Sequence, residues 1–229
     1  MDKQIEINGR MRAIIVNWII EVHNRFKLLP DTLFLSIIIF DRYMSLVKNI
    51  KKDTLQLIGV TSLLIACKYE EIFSPEIRDF VCILDRTYER EDLMDQENEM
   101  MKKLKFEITF PTSLRYFEIL RVEFNIDEKY YDYGYYLLEL TLLDCNFSKY
   151  NQSIIATTVF FMIKKIFDNV NLNSFLKDTK ISQDDVINCL VDICFLIENI
   201  EDSCYHAVTK KHSKIVKDFK KKILGEKNS

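Results

Sequence analysis

Glycine and proline are scarce in this chain, which has four glycines and three prolines in 229 residues. Proteins built from many short strands need more of these turn-forming residues, so their scarcity favours helices. The glycines are also scattered, which excludes a glycine-rich phosphate-binding loop. The composition therefore points to a helical protein without a nucleotide-binding motif of that kind.

Paired cysteines are absent as well. The six cysteines form no Cys-x-x-Cys pair and no Cys/His cluster with zinc spacing. We interpret them as reduced thiols, which is typical of the cytosol or nucleus, and expect the protein in the nucleus and cytoplasm. His23, His206 and His212 are isolated, so we interpret each as a surface or capping residue. We therefore expect no cofactor and no metal.

Charge of one sign is not in excess. The chain has 32 basic and 35 acidic residues, a net charge of −3, which disfavours a general nucleic-acid binder. Uncharged runs such as residues 54–67 are too short to span a bilayer, so we expect no membrane partner. The basic segments 210–212 and 220–222 are interpreted as a solvated helix face, with nuclear import or phosphate binding as the weaker alternative.

Apolar residues recur with helical periodicity nearly throughout the chain. The predicted helices lie at about residues 10–28, 31–47, 54–70, 76–84, 89–105, 112–124, 128–144, 151–167, 183–199 and 203–222. The prolines fall between helical patterns, and the break at Thr109–Thr112 divides the chain into residues 1–108 and 109–229. The predicted class is all-α, with two tandem five-helix bundles. Small residues such as Gly59 and Ala156 predict that the third helix of each bundle is central.

An ordered series of motifs resembles the cyclin box of mitotic A/B-type cyclins. The series runs through Met11-Arg-Ala-Ile-Ile, Trp18, Asp41-Arg, Ala66-Cys-Lys-Tyr-Glu-Glu-Ile72, Pro75-Glu76 and Leu104-x-Phe106, and continues in Tyr136-Leu-Leu-Glu-Leu. The resemblance implies two cyclin-fold bundles, the first of which binds a kinase and docks substrates. It also implies a regulatory subunit, not itself an enzyme, that binds and activates a cyclin-dependent serine/threonine kinase in cell-cycle control.

The resemblance implies that Lys68 and Glu97 grip the kinase near its movable helix. The surrounding contact surface would consist of Tyr69, Glu70, Ile72, Met101 and Phe106. Glu97 falls among apolar residues on one face of the fifth helix, where an unpaired carboxylate is costly. Sequence physics alone also allows Lys68 and Glu97 to pair simply with each other or with nearby backbone.

The first helix has a second apolar face beside the one that can enter a core. By the same resemblance, this face forms a groove for Arg-x-Leu peptides of substrates or inhibitors. Its floor would be Met11, Ile14, Trp18, Leu55 and Gln56, and its acidic rim Glu21 and Asp85. Asn17 stands where such cyclins usually have Asp, which weakens the expected attraction for basic peptides. Alternatively, an N-terminal segment covers this face.

Arg12 lies within the apolar arc of the first helix and needs a partner if it is buried. By analogy with the cyclin box, the partner is Asp41, in a pair that supports the fold. Two other functions remain open at this point: a cyclin-fold transcription factor, and a cyclin-like scaffold that binds a kinase without activating it. The net charge of −3 disfavours the first, while the sequence barely separates the second from an activator.

Overall fold

The computed structural model describes residues 4, 6–84, 87–124, 127–176, 181–199 and 206–225. Over these residues the secondary structure is helical and includes no strand, which confirms the predicted all-α class. The chain forms two compact units, Met1–Phe110 and Pro111–Ser229.

The first unit contains five α-helices among its described residues. They are α1 (Gly9–Phe26), α2 (Pro30–Leu46), α3 (Leu55–Glu70), α4 (Ile77–Ile83) and α5 (Arg90–Lys103), with a 3-10 turn at Lys52–Thr54. The Asn8 side chain caps α1 by accepting a hydrogen bond from the Met11 amide, and Lys27 ends the helix in the left-handed conformation. Pro30 occupies the first position of α2, where its missing N–H costs nothing.

Helix α3 is the centre of the first unit. Every residue from Leu57 to Cys67 is buried, so the helix is enclosed on all sides, as its small and apolar residues predict. A Cβ atom at Gly59 would lie 2.8 Å from Cγ2 of Ile15. Glycine at this position therefore lets α1 approach α3 closely.

The second unit contains α6 (Ser113–Glu123), α7 (Glu128–Leu143), α8 (Gln152–Asp168), α9 (Leu172–Leu176), α10 (Gln183–Asn199), α11 (His206–Lys211) and α12 (Ser213–Gly225). This set departs from the five helices predicted. Helix α9 has five residues, too few for a periodic pattern to reveal. The predicted helix 203–222 is two helices over its described part, with the break at His212, and residues 203–205 lie outside the described residues.

Helix α8 is the central helix of the second unit, since every residue from Ile155 to Ile163 is buried. Aromatic rings fill much of the space around it: Phe160 packs edge-on against Phe117, with centroids 6.0 Å apart. A Cβ atom at Gly134 would lie 2.0 Å from the Phe117 ring. The glycine thus opens the space on α7 that this ring occupies.

Candidate functional site

The structure brings Lys68 and Glu97 together at the surface of the first unit. The Lys68 Nζ atom donates to both carboxylate oxygens of Glu97, at 2.6 and 2.7 Å. The Lys68 side chain is 46% exposed and that of Glu97 is 20% exposed. An exposed pair of this kind contributes little to stability, roughly 0–1 kcal/mol. A partner molecule can reach both of its charges.

Large apolar side chains at and just after the ends of α3 and α5, the helices that carry this pair, are exposed. Ile72 is 88% exposed, Phe106 69% and Tyr69 48%, and Phe73, which the sequence analysis did not select, is 90% exposed. Met101 is half-buried against the core of the unit, and Glu70, also half-buried, ends α3. Exposed apolar side chains together with a charged pair are typical of a protein-binding surface. Phe73 could have been predicted from the sequence as part of this surface, because it is a large apolar residue in a predicted turn between two helices.

The turn after α3 is held at its base by Glu71. One oxygen of its carboxylate accepts hydrogen bonds from the Leu29 amide, at 2.7 Å, and from the Thr32 hydroxyl, at 2.6 Å. The carboxylate thereby satisfies donors at the start of α2, which has no side-chain cap of its own. The end of α3 and the start of α2 are thus tied together next to the exposed Ile72 and Phe73.

An unusual backbone turn follows α5. Lys105 and Phe106 are consecutive residues with φ of 55° and 58°, in the left-handed region that favours glycine. Their amides donate to the carbonyls of Lys102 and Met101, at 3.1 and 3.0 Å. The turn ends the helix and projects the Phe106 side chain outward. Strained backbone of this kind often accompanies functional sites.

Helix α1 carries several of the residues predicted to form the peptide groove. Ile14 is 49% exposed, and Glu21 is exposed as well. Met11, Trp18 and Gln56 are half-buried. The Asn17 amide donates to the Glu21 carboxylate at 3.1 Å, so Asn17 orients the rim acid although it carries no charge.

One residue assigned to the groove floor is buried, and one assigned to the rim is not described. Leu55 is 3% exposed and belongs to the core of the first unit, because it opens the central helix α3, so a peptide cannot rest on its side chain. Asp85 lies outside the described residues. Of the residues predicted to form the groove, those that are described and at least partly exposed are therefore Met11, Ile14, Trp18, Glu21 and Gln56.

Arg12 and Asp41 meet between α1 and α2. The Arg12 Nε and Nη2 atoms donate to the two Asp41 oxygens, at 2.7 and 2.6 Å. Arg12 is 4% exposed and Asp41 is 32% exposed, so the pair lies at the edge of the core. The two-pronged geometry fixes α1 against α2.

The second unit holds a buried charge cluster that the sequence analysis missed. Glu139 of α7 is fully buried, and its two oxygens accept hydrogen bonds from Lys211 at 2.5 Å and His212 at 2.7 Å. Burial alone would raise the pKa of Glu139. The His212 hydrogen bond and the positive charge of Lys211 outweigh burial and lower this pKa below its usual value. The signal in the sequence was one carboxylate inside the apolar run 135–143.

The interpretation of the histidines as surface or capping residues is wrong for His212, which is 8% exposed and bound to Glu139. His23 is also buried, with its Nε2 atom 2.9 Å from the Leu29 carbonyl oxygen. Both rings can be buried because each has a polar partner within hydrogen-bonding distance. His206 is exposed.

The described residues include neither a metal-binding cluster nor a membrane-spanning helix. They contain no group of three or more His, Cys, Asp or Glu side chains arranged to hold a metal ion. None of the helices that the structure describes is long and apolar enough to cross a membrane.

Both halves of the chain match cyclin family models. Residues 1–109 match the N-terminal domain of cyclins, and residues 108–223 match the C-terminal domain. The chain therefore belongs to the cyclin family, and the predicted pair of tandem cyclin-fold units is confirmed.

The curated relatives that the chain matches include proteins named mitotic cyclins. It is 36% identical to the G2/mitotic-specific cyclin-B of Hydra vulgaris over 214 residues, which is 93% of this chain and 59% of the relative. It is 39% identical to the G2/mitotic-specific cyclin-B2 of Homo sapiens over 161 residues, 70% of this chain and 40% of the relative. The chain thus spans about half the length of the curated relatives it matches. The predicted resemblance to mitotic cyclins is confirmed.

Solved structures share the fold at low sequence identity. A viral cyclin from herpesvirus saimiri matches with a TM-score of 0.75 and 20% identity, covering 86% of this chain and 88% of that one. A chain of the CAK complex from Chaetomium thermophilum, bound to ATP-gamma-S, matches with a TM-score of 0.64 and 13% identity, covering 91% of this chain and 68% of that one.

Proposed function

We propose that this chain is the regulatory subunit of a cyclin-dependent serine/threonine protein kinase, which it binds and activates without supplying a catalytic group. The observation that carries the proposal is the Lys68–Glu97 pair at the exposed end of α3. Family membership and the names of the cyclin-B relatives support it. The same relatives support a role in mitosis, and we propose that the protein works in the nucleus and cytoplasm.

Activation would follow from selective binding. A protein kinase is active only when its own Lys–Glu ion pair and its metal-binding Asp are in place, and the position of one kinase helix controls that pair. A regulatory subunit that binds the active arrangement more tightly shifts the population of the kinase toward it. The chain then activates the kinase through its higher affinity for the active arrangement than for the inactive one.

The proposed contact surface suits this task in its charge and its apolar area. Lys68 keeps donor capacity beyond its two bonds to Glu97, because an ammonium group has three donors. Burial of Ile72, Phe73 and Phe106 would supply the apolar free energy, since each of them is mostly exposed in the free chain. The charged pair fixes register, and the apolar groups supply affinity.

Substrate recruitment is the second part of the proposal. Ile14, Trp18 and Met11 on α1 would take the leucine of an Arg-x-Leu peptide, and Glu21 would accept hydrogen bonds from its arginine. The Asn17–Glu21 hydrogen bond supports this assignment, because it holds the carboxylate of Glu21 in one orientation. The peptides would come from substrates or inhibitors of the kinase.

The first experiment measures activation. An inactive cyclin-dependent kinase from the same source is mixed with the purified chain, and phosphate transfer to a peptide is followed beside the kinase alone. We expect activation by the wild-type chain and a loss of at least about tenfold in the Lys68→Ala, Glu97→Ala double variant. The control is Lys164→Ala with Asp168→Ala, a partly exposed Lys–Asp pair within one helix of the second unit, 2.8 Å apart, which should activate normally.

Each contrary outcome of this experiment has a defined meaning. Equal activation by the Lys68/Glu97 double variant would reject the proposed contact surface. Binding without activation would favour the scaffold alternative. No binding to any kinase of this class would reject the proposed function and favour the alternative of a cyclin-fold transcription factor.

The second experiment measures binding of a labelled Arg-x-Leu peptide by fluorescence anisotropy. Ile14→Ala and Glu21→Gln should each weaken binding several-fold, because they remove an apolar contact and a charged acceptor. Ile119→Ala, at a site on α6 that is 60% exposed, is the matched control and should bind normally. Unchanged affinity in both α1 variants would reject the groove.

A further inference from the structure

Helix α10 has two apolar faces, of which its own unit uses one. The buried face consists of Val186, Cys189, Ile193, Leu196 and Ile197. Outside it lie Ile187, Val191 and Phe195, which are 39%, 61% and 66% exposed. We name these three residues the α10 stripe. A surface helix needs one apolar face for its core, so the exposed part of the stripe is apolar surface that this packing leaves uncovered.

The α10 stripe follows one i, i+4 row of the helix surface. Its members are four residues apart, so they lie nearly above one another on the helix surface. Eight residues separate its ends, a distance of about 12 Å at the rise of an α-helix. A stripe of this length and spacing matches the contact face of a helix of about three turns.

The charges of α10 all have one sign. The helix carries Asp184, Asp185, Asp192 and Glu198 and no Lys, Arg or His. Asp184 and Glu198 are exposed and stand three residues before and three residues after the stripe, on the same face. Asp192, at the flank of the stripe, forms an ion pair with Lys149 at 2.8 Å and accepts a hydrogen bond from the Tyr150 hydroxyl at 2.7 Å. The stripe therefore has an acid at each end.

From this arrangement we propose that the α10 stripe docks a basic amphipathic helix of another protein. The partner helix presents apolar residues three or four positions apart and carries Lys or Arg near both ends. Opposite charges at the ends set the register, while the apolar contacts provide affinity. A second copy of this chain fits poorly: two antiparallel α10 helices would place Asp184 of one opposite Glu198 of the other.

The first test uses a synthetic 15-residue peptide with Leu at helical spacing and Lys at both ends, labelled with fluorescein. Its affinity for the full chain is measured by anisotropy, beside a scrambled peptide and one with Glu in place of Lys. We expect the basic helix alone to bind. Phe195→Ser should weaken binding about tenfold or more, from the lost apolar burial. The double variant Asp184→Lys, Glu198→Lys should also bind the basic peptide more weakly than the wild-type chain. This loss of affinity should grow as the salt concentration is lowered, because charge repulsion is then less screened.

The matched control is Val122→Ser on α6, a site that is 75% exposed and also in the second unit. It should leave the affinity unchanged, and thermal unfolding should show that both serine variants fold. Equal binding of the scrambled peptide, or full affinity in Phe195→Ser, would overturn the proposal, as would the absence of peptide binding. A dimer by sedimentation that Phe195→Ser dissociates would instead assign the stripe to self-association and reject the proposed partner.

A second test locates the bound peptide. Cys194 is exposed beside Phe195, and Cys82 is exposed on α4 in the first unit. Alkylation of both thiols is followed by mass spectrometry with and without peptide. The peptide should slow modification of Cys194 several-fold and leave Cys82 unchanged, and equal rates at Cys194 would contradict docking on the stripe. Kinase activation by Phe195→Ser tests the proposed function separately, since the two surfaces share no residue.

Discussion

Each unit holds charge between its helices, and the two units enclose that charge to different degrees. In the first unit, Arg12 is 4% exposed but its partner Asp41 is 32% exposed. In the second, Glu139 has no exposed surface, and both of its partners come from residues more than 70 positions away in the chain. The carboxylate of Asp41 is partly accessible to water, whereas that of Glu139 depends on protein partners alone.

This difference implies unequal dependence on the partner groups. When Asp41 loses its cation, water can solvate the carboxylate from the exposed side. When Glu139 is lost, His212 remains buried with no acceptor at that position, and Lys211 loses its anion. The second unit should therefore be the more sensitive of the two to removal of one member of its charge cluster.

The largest effect is expected for Glu139→Ala. It should lower the free energy of unfolding by about 3–5 kcal/mol, because it leaves buried polar groups without their partner. Arg12→Met, which keeps most of the side-chain packing in the first unit, should cost about 1–3 kcal/mol. Urea unfolding with a probe in each unit measures both changes. A larger loss in Arg12→Met than in Glu139→Ala would contradict the comparison.

The second prediction concerns acid. The pKa of Glu139 is lower in the folded chain than in the unfolded chain, so unfolding takes up a proton as the pH falls below the ordinary carboxyl value. The stability that this group provides is complete above about pH 5 and is lost on acidification, with a slope of at most about 1.4 kcal/mol per pH unit. Glu139→Gln should flatten this dependence in pH-dependent urea unfolding. An unchanged slope would show that other carboxyl groups produce it.

The third prediction contrasts the two packed glycines. Gly134→Ala should destabilise the second unit by about 1–2 kcal/mol, because the new methyl group meets the fully buried Phe117 ring at 2.0 Å. Gly59→Ala should change stability by less than about 1 kcal/mol, since a half-buried Ile15 side chain can move and alanine favours the helix. Thermal unfolding of both variants tests the order, and a reversed order would contradict it.

The smallest effect on stability is expected at the proposed kinase-binding surface. Lys68→Ala with Glu97→Ala should lower the free energy of unfolding by less than about 1 kcal/mol, because the pair is exposed. Chemical unfolding of the double variant measures this directly. A loss as large as that of Arg12→Met would mean that the pair is structural, and a defect in activation would then follow from misfolding.

Local patterns predicted most of the fold. The helices from α1 to α8 lie within about two residues of the predicted bounds, because apolar periodicity, prolines and capping residues are all local signals. The Glu139 cluster was missed because its members are 72 and 73 positions apart, beyond any local pattern. Leu55 was placed in the groove by resemblance, although its position at the start of the central helix makes it a core residue.

The hydrogen bonds of Glu71 have a consequence for binding kinetics. Since its carboxylate anchors the turn that carries Ile72 and Phe73, a partner meets a turn whose base is already ordered. Less conformational entropy is then lost on association, and encounter does not have to wait for the backbone to rearrange. Glu71→Ala should therefore slow the association of the partner more than it speeds dissociation, although Glu71 need not touch the partner.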